Sequence, residues 1–186
     1  MGSFARYLNR AVAAFVLTCA FVMPGLSAPV DLTQDFKDLQ SNQQVVWHRA
    51  ESDIQRAWSN SGSPALDLLL ERGRQAIAAK DYPAAIGHLT ALIDHAPDFA
   101  EAYNMRAQAY YSAGEVGPAL NDIGMTLKLN PKHFGAMDVL GSLLDQIGKP
   151  KDALAAFRMS IAIHPHQPPV LSAIKRLEAK LDGQEL

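Results

Sequence analysis

Apolar residues recur along residues 66–165 with the three- and four-residue spacing of amphipathic helices, and the pattern repeats every 34 positions. Pro97, Pro131 and Pro165 mark this period. The same shift aligns columns of small or apolar residues: Ala85, Ala119 and Ala153; Gly73, Ala107 and Gly141; Leu89, Ile123 and Phe157. Self-similarity at a period of this length indicates stacked helical units.

Each period contains two helical stretches separated by a turn. Gly114 and Gly148 suit the left-handed position that follows a helix, and Pro83 suits a first helical turn. We expect the small column to face the alanine column, so that paired helices approach closely. One pair cannot bury its apolar faces alone. The sequence therefore predicts an all-α fold in which residues 65–167 form three stacked pairs, at 66–99, 100–133 and 134–167.

The period, the small and alanine columns and the terminal prolines resemble the tetratricopeptide repeat (TPR) family over about residues 66–165. The chain departs from the family pattern at Arg72 and Arg106, which stand where a leucine is common. The resemblance implies a helix-turn-helix solenoid whose concave face is lined by the first helix of each pair. It also implies a protein that binds a protein or peptide partner without catalysis.

The N-terminus has the pattern of a secretory signal peptide over residues 1–27. Arg6 and Arg10 precede an apolar run from Ala11 to Met23, and small residues follow. The run is shorter than the roughly 20 residues that a spanning helix needs. We expect cleavage after Ser27 in preference to Ala28, with an uncleaved membrane anchor as the alternative. The mature protein is then periplasmic or secreted, with no stable membrane insertion.

Composition narrows the function further. Without residues 1–28 the formal net charge falls from −2 to −4, and the one cysteine, Cys19, is removed. This balance argues against nucleic-acid binding, and the lack of cysteine excludes multi-cysteine zinc sites. The six histidines show no pair at metal-ligand spacing, and no phosphate loop or nucleophile elbow is present. We therefore predict no cofactor, no metal and no enzymatic activity; a hydrolase using turn histidines is the less favoured alternative.

Two flanking segments lie outside the repeats. Residues 168–186 have the spacing of a C-terminal capping helix followed by a short tail. Residues 28–64 predict an N-terminal helical extension and linker. We expect Trp47 and Trp58 to cover the first repeat. Two alternatives remain for this extension: it lies in the groove of the repeats, or it binds a partner or a second copy.

The predicted binding groove comprises the inward-facing positions of the first helices. These are Asp67, Leu70, Arg74, Glu101, Asn104, Gln108, Tyr111, Asp138, Ser142 and Asp145. Family members that grip a C-terminal carboxylate use Lys and Asn at such places, whereas here only Arg74 could carry that charge, so that function is not supported. We predict a groove for a basic or neutral peptide, with Asn104 bonding its backbone and Tyr111 anchoring it. The rival hypothesis is an assembly subunit that binds through its N-terminal helix or outer surface. The arrangement resembles small exported bacterial TPR proteins, which implies the periplasm of a Gram-negative bacterium.

Overall fold

The computed structural model describes residues 30–183, which form nine α-helices and no strand. The helices are α1 (Thr33–Asp38), α2 (Gln44–Trp58), α3 (Pro64–Ala78), α4 (Tyr82–His95), α5 (Ala100–Ser112), α6 (Val116–Leu129), α7 (Phe134–Gln146), α8 (Pro150–Ile163) and α9 (Pro168–Asp182). The signal peptide predicted over residues 1–27 lies outside the described residues.

The helix boundaries follow the 34-residue period. The first helices of the pairs end at Ala78, Ser112 and Gln146, and the second helices begin at Tyr82, Val116 and Pro150. The prediction of an all-α helix-turn-helix stack is therefore confirmed. Helix α9 begins 34 residues after the start of α7, so it occupies the place of a fourth first helix. Its Val170, Ile174 and Leu177 are buried against Ala153 and Phe157 of α8.

The turns inside the three pairs share one backbone conformation. Gly114 and Gly148 have φ angles of 81° and 75°, which confirms the left-handed position predicted for them. Lys80 occupies the equivalent position of the first pair with φ of 61°. A residue with a Cβ is strained there, because Cβ crowds the following carbonyl oxygen. The first turn is therefore less favourable than the other two.

The interior of each pair depends on the small column. A Cβ added to Gly73 would lie 2.7 Å from Cγ of Leu89, and one added to Gly141 would lie 2.6 Å from Cε1 of Phe157. The sequence predicted that these glycines would face the alanine column; the nearest atoms belong instead to the large column of Leu89 and Phe157. Because these large side chains lie against bare backbone, a methyl group has no room.

Arg106 explains one departure from the family pattern. Its guanidinium donates to both carboxylate oxygens of Asp122 on α6, at 2.8 and 2.9 Å, and to Oγ1 of Thr90 on α4, at 3.0 Å. Asp122 is buried, and a bidentate pair of this kind satisfies both charged groups. The second pair is thus joined to the first by a polar contact at a position where the family commonly has leucine.

The first helices form the inner side of the stack, since α3 contacts α5 and α5 contacts α7. Helices α1 and α2 lie outside the period and pack together as a hairpin. None of the helices in the described part of the chain is both long enough and apolar enough to cross a membrane.

Candidate functional site

Helix α2 lies across the inner side of the stack. Leu39, Ala50 and Ile54 of the α1–α2 hairpin are fully buried in one apolar cluster with Phe134, the first residue of α7. Nε2 of Gln40 donates to the carbonyl oxygens of Ala162 and Ile163 at the end of α8, at 3.2 and 2.7 Å. We call this contact between the hairpin and the repeats the seam.

Both tryptophans of the protein belong to the seam. The indole of Trp58 stacks on the ring of His133, with centroids 4.2 Å apart, and also contacts Phe134. The indole of Trp47 stacks on His166, with centroids 4.9 Å apart. The expectation that these side chains cover the first repeat is therefore wrong. Trp58 lies on the turn that precedes α7, and Trp47 lies on the turn that precedes α9.

A cavity of about 560 Å³ lies between α2 and the inner side of α3 and α5. Of the predicted groove residues, four line it: Arg74, Glu101, Asn104 and Gln108. Ser52, Gln55 and Trp58 of α2 form the opposite wall, and His133, Phe134 and Gly135 close one end. We call this space the central cavity.

Glu101 is the hub of the central cavity. Its Oε1 accepts from Arg74 at 3.3 Å, and its Oε2 accepts from Nδ2 of Asn104 at 3.2 Å and lies 2.9 Å from Nε2 of His133. Nδ1 of His133 accepts from the backbone N–H of Ala136, which leaves Nε2 as the donor to Glu101. Only 8% of Glu101 is exposed, and both of its carboxylate oxygens have hydrogen-bond partners within the protein.

Two polar atoms of the central cavity bear directly on recognition. Arg74 also donates to Oγ of Ser59 at 2.6 Å, so its guanidinium is held by Ser59 and Glu101 and is poorly placed to grip a carboxylate. Oδ1 of Asn104 is buried and has no hydrogen-bond partner. A buried acceptor without a donor is costly, so this atom favours a ligand that offers an N–H group.

A second cavity of about 400 Å³ lies between α2, α7 and α9. Two more predicted residues, Asp138 and Ser142, line it, and Oγ of Ser142 donates to the carbonyl oxygen of Asp138. Burial raises the pKa of Asp138 to about 6. A side-chain hydrogen bond with Ser160 and the charge of His133 lower this pKa, but by less than burial raises it. We call this space the terminal cavity.

The remaining predicted residues have other roles. Asp67 accepts from the N–H and Oγ of Ser61 in the linker, and Asp145 pairs with Arg176 of α9 at 2.7 Å. Tyr111 is half-buried against the core between α5 and α6 and does not line the central cavity. Leu70 was predicted to be exposed in the groove, which is wrong. It is only 2% exposed, because it packs on Leu92 and Ile93 of the neighbouring helix.

The predicted site did not include Trp58 and the other residues of α2, or the turn residues His133 and His164, although one alternative for the N-terminal extension placed it in the groove, where α2 lies. The available signal was the placement of both tryptophans in a segment that follows no repeat. Among residues 30–183, no group of three or more histidine, cysteine or acidic side chains is arranged to hold a metal ion.

Comparisons with known proteins agree with this architecture. A family profile described as tetratricopeptide repeat matches residues 70–124. A TPR repeat-containing protein of Rhizobium etli is 31% identical over 132 residues, which is 71% of this chain; the chain spans 65% of that protein's length.

Two solved structures show the same fold. The TPR domain of Sgt2 from Aspergillus fumigatus superposes with a TM-score of 0.63 at 24% identity, over 66% of this chain and 83% of that one. The first TPR domain of Spaghetti (RPAP3), bound to an HSP90 peptide, superposes with a TM-score of 0.61 at 20% identity, over 63% of this chain and 93% of that one. The repeated helix pairs, the profile over residues 70–124 and these similarities lead to one conclusion: the chain folds as a stack of tetratricopeptide repeats.

Proposed function

We propose that this protein is a non-catalytic interaction module of the bacterial periplasm that binds a peptide or protein segment on the inner side of its repeats. The observation that carries the proposal is the central cavity, where the buried Oδ1 of Asn104 has no donor. A peptide backbone N–H supplies the missing donor, and the amide of Gln108 can bond the backbone further along.

The similarity to TPR domains supports a peptide as the ligand. The solved domain of Spaghetti holds a peptide of HSP90. The ligand of the present chain differs in chemistry, because Arg74 is held by Glu101 and Ser59 and offers no free clamp for a terminal carboxylate. A segment that contributes backbone N–H groups fits the central cavity better.

Site-specific crosslinking in cells tests the proposal. A photoreactive residue at position 108 should capture a partner, and the same residue at Lys151, which is exposed on α8, should not. Asn104→Ala should abolish capture from position 108, whereas Asp152→Asn, an exposed change on α8, should leave it intact. Capture that survives Asn104→Ala would contradict binding in the central cavity.

The rival surface is the N-terminal hairpin. Its apolar side chains Ala50 and Ile54 are buried against the chain's own repeats, so they are not free to hold a partner while the seam is closed. Equal capture from positions 108 and 151 would favour binding through the outer surface.

The periplasmic setting rests on residues 1–27 and has its own test. Fused to a reporter enzyme that is active only after export, the full chain should give activity, and a chain lacking residues 1–27 should give none. Sequencing the N-terminus of the exported protein distinguishes cleavage after Ser27 from cleavage after Ala28. Equal reporter activity with and without residues 1–27 would refute the signal peptide.

A further inference from the structure

The terminal cavity has the size of a small-ligand site and two contrasting walls. Its volume of about 400 Å³ lies within the range of ligand pockets. Phe157, Val170 and Ala173 form an apolar wall. Glu51, Asp138 and His164 supply polar groups from three different parts of the chain.

The hydroxyl of Ser142 and the side-chain amide of Gln167, which lie around this cavity, already donate to other atoms of the protein. Oγ of Ser142 donates to the carbonyl of Asp138 at 2.9 Å. Nε2 of Gln167 donates to Oγ of Ser160 at 2.9 Å and to the carbonyl of His164 at 2.8 Å. These side chains have little left to offer a ligand that accepts hydrogen bonds.

The acceptors are in the opposite condition. Oδ1 of Asp138, Nδ1 of His164 and Nε2 of His166 are buried without a partner, and His164 is only 1% exposed. Nε2 of His164 lies 3.6 Å from Oε1 of Glu51, so the proton of the neutral ring belongs on Nε2. Nδ1 then presents its lone pair. An imbalance of this kind calls for a ligand that brings N–H donors.

The charge of the wall agrees with that demand. Glu51 and Asp138 are acids, and the described residues that line the cavity include no lysine or arginine. Arg176, on the neighbouring α9, is held by Asp145 at 2.7 Å. The acidic side chains of this cavity therefore have no cationic side chain among the described residues of its wall to balance their charge.

We propose that the terminal cavity binds a cationic nitrogen group, an ammonium or a guanidinium, with Asp138 and His164 as its acceptors. The alkyl part of such a ligand lies on Phe157 and Val170, as the stems of lysine and arginine do on apolar surfaces. The proposal does not depend on peptide binding in the central cavity, because a free amine is sufficient to test it.

The test uses small probes and the full-length chain. Nα-acetyl-lysine methylamide and Nα-acetyl-arginine methylamide carry the cationic side chain, and Nα-acetyl-norleucine methylamide is the uncharged control of similar shape. Trp47 stacks on His166 at the edge of the cavity, and both tryptophans lie in the seam, so indole fluorescence reports binding there. Heteronuclear NMR of the imidazole signals of His164 provides the second readout.

The expected result is millimolar binding of the two cationic probes, at least about tenfold tighter than that of the norleucine probe. Asp138→Asn should weaken the cationic probes by about tenfold or more, because the neutral amide keeps the shape and removes the charge. Asp152→Asn on α8 removes an equal charge at an exposed position and should leave the affinity unchanged.

Three outcomes would overturn the proposal: no binding of the cationic probes, equal binding of the norleucine probe, or undiminished binding to Asp138→Asn. Circular dichroism checks that this variant is folded, which is expected because the change removes a buried charge. Failure of peptide binding would instead show as unchanged capture after Asn104→Ala, so the two proposals fail separately.

A pH titration adds a readout that a purely structural carboxylate would not give. Protonation of Asp138 or His164 removes an acceptor, and protonation of His164 also adds a like charge. The other titratable groups around them are His48 of α2, Glu51, His133, His166 and the Asp145–Arg176 pair. Burial raises the pKa of Asp138 to about 6, so affinity for the lysine probe should fall as pH is lowered from 7 to 5. Affinity that is constant over this range would contradict Asp138 as the ligand.

A peptide with a single internal lysine distinguishes the two sources of the cation. If it binds more tightly than the free probe and loses that gain in Asn104→Ala, the cation belongs to a peptide that spans both cavities. If it binds only as tightly as the free probe, the terminal cavity takes a small amine by itself. Both results require the Asp138→Asn loss described above.

Discussion

The helix pairs and the seam are both contacts between helices, but they consist of different kinds of side-chain contact. Inside a pair, Leu89 lies directly against the backbone of Gly73, and Phe157 against that of Gly141. In the seam, two indole rings stack on imidazoles, and two cavities remain between α2 and the repeats. The pairs are held by close apolar packing, whereas the seam combines one small apolar cluster around Ile54 and Phe134 with aromatic and polar contacts between distant residues.

The difference separates stability from binding. Close packing gives a large, pH-independent contribution to folding but leaves no space for a ligand. The seam retains unpaired acceptors at Asn104, Asp138 and His164, which cost stability and offer binding chemistry. Elements with few buried contacts open at lower free energy than the core, so α1 and α2 are expected to be the part of the stack that moves.

The largest expected effect is on a helix pair. Leu89→Ala should lower the free energy of unfolding by about 3 kcal/mol, because it opens a cavity against Gly73 that rigid backbone cannot fill. Chemical denaturation measures the change. Leu68→Ala, at a side chain that is 50% exposed, should change the stability by less than about 0.5 kcal/mol. Similar losses in both variants would contradict the contrast between pair interior and surface.

Breaking the seam should cost less and act locally. Trp58→Ala removes the stack on His133 and should cost about 2 kcal/mol, since the side chain is only half-buried. Hydrogen exchange should accelerate in α1 and α2, while the amides of α5 and α7 keep their protection. Equal acceleration throughout the stack would show that the seam and the pairs unfold as one unit.

The seam should also respond to pH in a way that the pairs do not. The raised pKa of Asp138 means that the folded state prefers the protonated acid. The contribution of this protonation to the free energy of unfolding is therefore complete below pH 3.8 and is lost as the pH rises through about 6. Asp138→Asn should therefore stabilise the protein by about 1.5 kcal/mol at pH 7 and have little effect at pH 4. This gain is smaller than the free energy that corresponds to the whole pKa shift of Asp138, because the N–H groups of the new amide also need hydrogen-bond partners.

Denaturation curves of the two proteins at matched pH isolate this effect, since other titrating groups cancel in the difference. Asp152→Asn should show a difference within about 0.5 kcal/mol at both pH values. A gain from Asp138→Asn that is the same at pH 4 and pH 7 would contradict burial of the charge as its cause.

The smallest expected effect concerns the turn of the first helix pair, where Lys80 stands in place of the glycine found in the other two turns. Lys80→Gly should raise the free energy of unfolding by about 1 kcal/mol, because glycine takes the left-handed conformation without strain. Differential scanning calorimetry measures the shift in Tm. Lys175→Gly, at an exposed position in the interior of α9, is the matched control and should lower stability by about the same amount. A loss of stability in Lys80→Gly would show that the lysine side chain has another role in the turn.

Most of the repeated stack could be predicted from local patterns. Periodic apolar positions, turn glycines and terminal prolines determine each pair, because a pair contacts mainly its neighbours in sequence. The helical spacing of the first helices also predicted that Arg74, Glu101, Asn104 and Gln108 lie on the inner side, where they line the central cavity. It failed at Leu70, because helical spacing does not show which flank of an inner helix the next helix covers.

The path of the N-terminal hairpin was decided by tertiary structure alone. Gln40 bonds the carbonyl of Ile163, a residue 123 positions later, and Trp47 stacks on His166. No local period relates such positions, and the apolar face of α2 is equally suited to the first repeat, to the groove or to a partner. The sequence by itself determined a stack of helix pairs with a 34-residue period. The folded chain decided which surface α2 covers, because that choice depends on the shape and charge that distant turns present together.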